Sequence, residues 1–275
     1  MKTQDVPPAL RGFNNIFRKL EYRHAYVTVF DDFLTAMMNY FTPPEYPPLD
    51  VTCFGKYADE ERKVFHEMIV EVIQILQREL SDTRLWYDLF GDFYQELASR
   101  GKQSALGQFF TPDTVVDMMI QLQGDKEELA GKGHTIADPA CGSGRMLIAY
   151  HAHYPGNYTF GEDLDPMCCK MTCLNMLLHG CEGEVVNHNA LMPDSYMRGW
   201  RINPTIRRFG LPSITPLEKE QSFVYKMWEN RKAEAEQQQA EAGRQKVEAD
   251  QAWRDQVKRE RQQQTRQTGT QLDMF

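Results

Sequence analysis

The run Asp138-Pro139-Ala140-Cys141-Gly142-Ser143-Gly144 sets an acid and two glycines between an apolar segment and a helical pattern. A strand that ends in such a turn and opens a helix forms a ligand crevice, because backbone N–H groups converge at the positive end of the helix. Gly142 and Gly144 let a ligand approach the backbone where any side chain would block it. The continuation Arg145-Met146-Leu147 lacks the third glycine of the dinucleotide fingerprint, which counts against NAD. Asp163 closes the next apolar segment, 21 residues beyond Gly142. An acid at about this distance is placed to accept hydrogen bonds from ribose hydroxyls. The alternative is a solvated carboxylate within the cluster Glu162, Asp163 and Asp165. Upstream, Gly107-Gln108-Phe109-Phe110-Thr111-Pro112 sets two rings beside a helix start, with Thr111 as capping hydroxyl and Pro112 in the first turn. The helix end can receive a carboxylate, while the rings pack either on an adenosine or on the core.

Other constellations carry less. Cys168, Cys169, Cys173 and Cys181 cluster on one helix and its exit, but zinc ligands come in better-spaced pairs, so no metal site is expected. Buried free thiols are the expected state. His151 and His153 read as helix residues rather than catalysts.

These residues need elements to position them. Residues 106–195 alternate strand and helix signals: a helix through Val115–Leu122, a strand near 135–137 and a helix over 145–153. A second strand over 158–161, a helix over 166–178 and a third strand near 185–186 follow. That is the pattern of a parallel doubly wound sheet. Residues 58–100 read as two amphipathic helices, one with Val64, Phe65, Met68, Ile69, Val72, Ile73, Leu76 and Leu80 on its stripe. The other carries Leu85, Trp86, Leu89, Phe90, Phe93, Tyr94 and Leu97, and Ser81-Asp82 forms the break. Residues 1–50 mix aromatics with prolines and end in the extended run 42–48. Residues 229–271 are rich in Gln, Glu, Lys, Arg and Ala, so the tail is either disordered or a solvated helix.

The chain has 275 residues, 41% hydrophobic and 25% charged, which is globular composition. No apolar run is long enough to span a membrane, no signal core follows Met1, and six cysteines are too few for a disulfide scaffold. A cytoplasmic location is expected. Residues 1–195 hold 16 Lys+Arg against 28 Asp+Glu, and residues 196–266 hold 15 against 10. So acidic a body argues against a free-standing, non-specific DNA binder but leaves room for a DNA enzyme whose grip is local or supplied by a partner.

The order Gly-Gln-Phe-Phe-Thr-Pro, Asp-Pro-Ala-Cys-Gly-Ser-Gly, Gly161-Glu162-Asp163-Leu164-Asp165-Pro166 and Asn189-Ala190-Leu191 resembles the N-6 adenine DNA methylase family. It is most similar to the modification subunit of type I restriction-modification systems. The likeness covers roughly residues 82–206, including Asp88-Leu89-Phe90-Gly91-Asp92-Phe93 as a helical lead-in. The resemblance implies an α/β fold: a Rossmann-like, parallel-sheet methyltransferase core over 106–228 that binds S-adenosyl-L-methionine (SAM). A helical region over 1–105 precedes it and the polar tail over 229–275 follows. It implies methylation of the exocyclic amine of adenine in DNA; the alternative is a SAM-binding but catalytically degenerate relative acting as an adaptor on DNA machinery. Phe109, Thr111 and Pro112 would line the SAM site, Asp138, Ala140, Gly142 and Gly144 would cradle its methionine end, and Asp163 would hold the ribose. Asn189 would meet the adenine ring in place of the family's usual Asp, using its amide oxygen.

The catalytic motif of the family runs Asn or Asp, Pro, Pro, then an aromatic that stacks on a flipped base. Here the match is Asn203-Pro204-Thr205-Ile206, with Asn203 and Pro204 as the expected catalytic pair. Thr205 and Ile206 depart from the motif, and Ile206 has no face to stack with. The resemblance ends soon after, so the sheet is expected to be incomplete, its open edge covered by a helix of this chain or by a partner subunit. The pentapeptide Gln271-Leu272-Asp273-Met274-Phe275 resembles the segment by which bacterial replication and repair proteins dock on the sliding clamp.

Overall fold

The computed structural model describes residues 6–49, 51–81, 84–98, 110–192 and 195–272, with side chains described up to residue 260. It divides into two compact units, Met1–Tyr225 and Lys226–Phe275.

The first unit is a sheet with helices layered on it. Helices α1 (Arg11–Glu21) and α2 (Tyr26–Tyr40) occupy the region read above only as aromatics and prolines. Their signal was present: Phe13, Phe17 and Leu20 in α1, and Phe30, Phe33, Leu34 and Met37 in α2, recur at helical spacing and are fully buried. The first expected amphipathic helix is α3 (Asp59–Glu79), with Ile75 buried where Ile73 was expected. The second, α4, starts later than expected, at Leu89–Ala98, because Leu85–Asp88 runs as irregular chain. The ring of Phe93 in α4 meets Phe13 edge-on at 4.7 Å and Phe17 at 5.1 Å, joining α1 to α4 in one aromatic cluster.

Three strands stand parallel: β1 (Thr135–Asp138), β2 (Tyr158–Asp163) and β3 (Glu182–Asn187). Helices α5 (Asp113–Gln121), the short α6 (Lys126–Leu129), α7 (Arg145–His153) and α8 (Pro166–Leu178) supply the connections and cover. A side chain on Gly161 of β2 would strike Leu147 of α7 and Thr172 of α8, so both helices cover the same face. Helix α8 is apolar on nearly every side because it lies between the sheet and α2 and α4. Its start is a textual match to its chemistry: the Asp165 side chain caps Met167 N–H at 2.8 Å and Pro166 takes the first turn.

Beyond β3 the sheet departs from the all-parallel expectation. Strands β4 (Arg198–Ile202) and β5 (Ile214–Pro216) extend it antiparallel, in the order β1-β2-β3-β4-β5. The reason is chain length. A parallel return needs a crossover of a dozen or more residues, usually a helix, whereas only residues 188–197 separate β3 from β4. After the four-residue α9 (Ile206–Phe209), helix α10 (Phe223–Leu272) begins on the sheet, where the Phe223 ring packs at a tilt against Phe160, centres 4.7 Å apart.

The second unit is helical as far as Leu272, and its side chains described up to residue 260 are almost all exposed. Among the described residues no helix is long and apolar enough to cross a membrane.

Candidate functional site

Strands β1, β2 and β3 end together, and their C-terminal ends carry Asp138, Asp163 and Asn187. The glycine turn follows β1. Gly142 and Gly144 sit at φ +56° and +82°, left-handed values that L side chains rarely adopt. A Cβ on Gly142 would lie 2.8 Å from the Phe110 ring, and one on Gly144 would meet Thr172 of α8 at the same distance. Gly142 therefore admits an aromatic side chain over the turn, and Gly144 admits α8 beneath it.

Two carboxylates organise the turn. Asp138 accepts from Ala140 N–H at 3.1 Å. Asp163 accepts from Gly142 N–H at 2.9 Å through one oxygen and from Asp165 N–H at 2.9 Å through the other. Burial pushes both acids above the usual carboxylate range, and these backbone N–H donors pull against it. Each Asp163 oxygen still has acceptor capacity for a ligand hydroxyl.

A cavity of about 740 Å³ opens beside β1 and reaches the turn. Phe110, Thr111, Asp138, Ala140 and Gly142 line it; Gly144, Asp163 and Asn189 do not. Asn189 follows β3, and its Oδ1 accepts from Leu191 N–H at 3.0 Å. Phe109 lies outside the described residues, and the ring on the turn is its neighbour Phe110. Pro112 rather than Thr111 occupies the cap position of α5, and no side chain caps that helix. Thr111 contributes its backbone carbonyl instead, which accepts from Arg145 at 2.7 Å.

Arg145 and Asp88 form the support that sequence reading missed. Asp88 is fully buried and accepts from Arg145 Nε at 2.8 Å, Asn175 Nδ2 at 2.7 Å, Gly91 N–H at 2.8 Å and the Ser143 hydroxyl. Arg145 also reaches Asp92 at 3.1 Å and Asp113 at 3.5 Å, with its guanidinium 5.3 Å from the Phe110 ring centre. One ion cluster thus ties the lead-in before α4, the glycine turn, α8 and the Phe110-Thr111 segment together. Its acids are crowded: burial, then the charge of Asp88, raises Asp92 to about 7. Next to Asp163, Glu162 pairs with His188 at 2.5 Å, both buried. The signal for the cluster was the spacing Asp88-x-x-x-Asp92 beside Ser143 and Arg145, which becomes legible only once the helix and turn are brought together.

Asn203 and Pro204 are not brought to this site. Because β4 runs antiparallel, its end lies beside Gly183 at the start of β3, at the opposite end of the parallel strands from the turn. The Asn203 side chain is fully buried and committed there: Nδ2 donates to Leu177 O at 3.1 Å and Cys181 O at 2.9 Å. Its Oδ1 accepts from Ser213 N–H at 3.1 Å, and its φ of +53° is one that Asn tolerates better than most residues. The strand direction places the expected catalytic pair away from the turn, and there Asn203 pins the chain reversal between β4 and β5 to the end of α8.

Cys168, Cys169, Cys173 and Cys181 are buried free thiols, and burial raises all four, Cys181 to about 12. Among the described residues no group of three or more His, Cys, Asp or Glu could hold a metal ion.

Residues 86–265 match the N-6 DNA Methylase family. The methylase subunit of the MjaVII type I restriction enzyme from Methanocaldococcus jannaschii is 31% identical over 123 residues, which are 42% of this chain and 20% of that protein. The EcoEI methylase subunit of Escherichia coli is 33% identical over 112 residues, 35% of this chain and 22% of that one. The type II restriction enzyme and methyltransferase RM.BcgI of Heyndrickxia coagulans is 27% identical over 134 residues, 42% and 20% of the two chains. The chain spans about a fifth of the length of these curated relatives.

Proposed function

The chain belongs to the N-6 DNA methylase family, and from that premise we propose that it binds SAM at the glycine turn and serves methylation of the exocyclic amine of adenine in DNA. The observation that carries the reading is the turn itself: Asp138, Ala140, Gly142 and Asp163 meet where β1 and β2 end, with Gly142 at a left-handed φ and so close to the Phe110 ring that a Cβ there would lie 2.8 Å from it. In this reading Asp138, Ala140, Gly142 and Gly144 cradle the methionine end of SAM. Asp163 holds the ribose, Asn189 meets the adenine amine through its amide oxygen, and Phe109, Thr111 and Pro112 close the site, with Phe110 over the turn. SAM would supply the electrophilic methyl group; the chain's own residues bind and orient it. A cytoplasmic home, where DNA, SAM and reduced thiols coexist, accords with this role.

A second reading is favoured by one observation. The Asn203 amide is spent on backbone partners, so the chain alone holds no acceptor group from that motif beside the cofactor. That supports a SAM-binding but catalytically degenerate relative acting as an adaptor on DNA machinery. Calorimetric titration with SAM tests the shared part, and the absence of any binding at millimolar SAM would overturn it. Incorporation of labelled methyl into mixed-sequence DNA separates the readings: the isolated chain is expected to transfer little or nothing. Robust turnover that vanishes in Asn203→Ala would restore Asn203 to the chemistry.

Among partners, DNA belongs to this reading. A sliding clamp is a finer proposal that rests on the sequence of Gln271, Leu272, Asp273, Met274 and Phe275 alone; their side chains lie outside the described residues. A peptide of residues 261–275 should bind the host clamp, and equal binding by a peptide lacking Leu272 and Phe275 would dismiss it.

A further inference from the structure

The two edges of the sheet are built differently. β5 is three residues long, ends in Pro216, and has Ile214 N–H bonded to Phe41 O at 3.0 Å. Short strands, proline and a covering loop are the devices that keep a sheet edge from pairing further. β1 is also short, at four residues, but it contains no proline, and among the described residues no backbone hydrogen bond from outside the sheet covers its free edge. Among the described residues it pairs with β2 alone, and Thr135 and Ala137 are exposed. The cavity of about 740 Å³ runs along its whole length, from His134 to Gly142. Met119, Ile120, Leu129, Met146, Leu147 and Tyr150 give it an apolar lining, interrupted by Gln123, His134 and Arg145.

The neighbouring helix α5 packs on α7 through Val116 and Ile120 but leaves a second apolar face bare among the described residues. Val115, Met118, Met119 and Leu122 of α5 form an exposed stripe at helical spacing, with Met118 56% and Leu122 78% accessible. Met119 belongs to both the stripe and the cavity wall, so the two surfaces are continuous. A bare strand edge calls for an extended segment, and an apolar helix stripe beside it calls for a helix.

We propose that the β1 edge and the α5 stripe together dock a strand–helix unit of a second, different polypeptide carrying basic residues around that unit. Charge argues against a second copy of this chain. Residues 1–225 hold 21 Lys+Arg against 30 Asp+Glu, and Asp125, Glu127 and Glu128 beside the cavity are acidic. Two such bodies repel, whereas lysines and arginines on the incoming unit complement them. A strand laid parallel to β1 ends beside Asp138 and the glycine turn, so the partner becomes a wall of the proposed cofactor site. That last consequence rests on the SAM reading; the docking surface stands without it.

The test uses the full chain in its native host cells with a photoreactive amino acid at position 137, and a control at position 70, exposed on α3. Crosslinks from 137 are expected on a different polypeptide, within an extended apolar segment flanked by Lys or Arg and followed by an amphipathic helix sequence. Their yield should exceed the control at least tenfold and fall at least tenfold in Met118→Glu/Leu122→Glu. Crosslinks confined to this chain, within one molecule or between two, would overturn the proposal. So would a segment without that pattern, a yield no higher than at position 70, or indifference to the α5 substitutions. Titration of SAM into the chain with α5 unaltered, set beside its crosslinking from position 137, separates the two readings. Binding with failed crosslinking leaves the cofactor reading standing and removes the docking surface; crosslinking without SAM binding does the reverse.

Discussion

Two corners of the sheet carry the residues that look chemical in the sequence, and they treat their polar atoms in opposite ways. At the ends of β1 and β2, Asp138 and Asp163 each accept from backbone N–H groups yet retain lone pairs at a turn that opens onto a cavity. At the end of β4, Asn203 has both ends of its amide occupied and is sealed from solvent. Buried polar groups must be satisfied, so the second corner has a complete structural explanation for its asparagine. The first is satisfied but not saturated, as a binding site should be. Residue type alone does not distinguish the two.

That contrast makes separable predictions. The largest effect belongs to the support beneath the turn. Asp88→Ala strips the buried Arg145 of its closest carboxylate, leaves Gly91 N–H without its side-chain acceptor and leaves Asn175 Nδ2 with Ser143 O alone. A loss of about 3–5 kcal/mol is expected in urea denaturation. Next is Asn203→Ala, which frees the carbonyls of Leu177 and Cys181 and puts alanine at φ +53°. It should cost about 2–4 kcal/mol of stability. Gly142→Ala is smaller in stability, about 1–3 kcal/mol from the positive φ and displacement of the Phe110 ring, but it should also weaken SAM binding. If Gly142→Ala left SAM affinity untouched while Asn203→Ala lowered it, the assignment of the two corners would be reversed.

The smallest effect at neutral pH is on His179. Its Nε2 accepts from Tyr87 N–H at 3.2 Å, which leaves Nδ1 to donate to Asn175 O at 2.8 Å. Burial lowers the ring to about 4, although part of its edge stays accessible. The folded state thus favours the neutral ring, because a proton on Nε2 would face the Tyr87 N–H. Stability from this group is complete above about pH 6.5 and is lost as pH falls toward 4. His179→Gln should flatten that part of the stability–pH curve and leave the profile near pH 8 unchanged in shape, as equilibrium unfolding across pH 4–8 would show.

How much of this was legible in the sequence depends on the range of the interaction. The β1–turn–α7–β2–α8 run could be read because each element is marked locally: Gly142 and Gly144 at the turn, Asp165 and Pro166 at the start of α8, apolar segments between them. Helices α1 and α2 were obscured by prolines and polar residues, although Phe13, Phe17 and Leu20 hold the helical period. The direction of β4 could not be read from the motif Asn203-Pro204, because a short motif does not encode which end of a sheet it reaches. The ten residues 188–197 do bear on it, since a connection that short cannot cross back. The Asp88–Arg145 cluster joins residues 57 apart and needed the fold to appear.

The central claim is that the β1–β2 corner binds SAM and the Asn203 corner does not. One paired calorimetric titration tests it: SAM into the wild type, Asp163→Ala and Asn203→Ala under the same conditions. Asp163→Ala is expected to weaken binding by about 1.5–3 kcal/mol through loss of a charge-assisted bond, with Asn203→Ala equal to wild type at temperatures where it remains folded. Equal affinity of wild type and Asp163→Ala, with the loss falling on Asn203→Ala instead, would contradict the account.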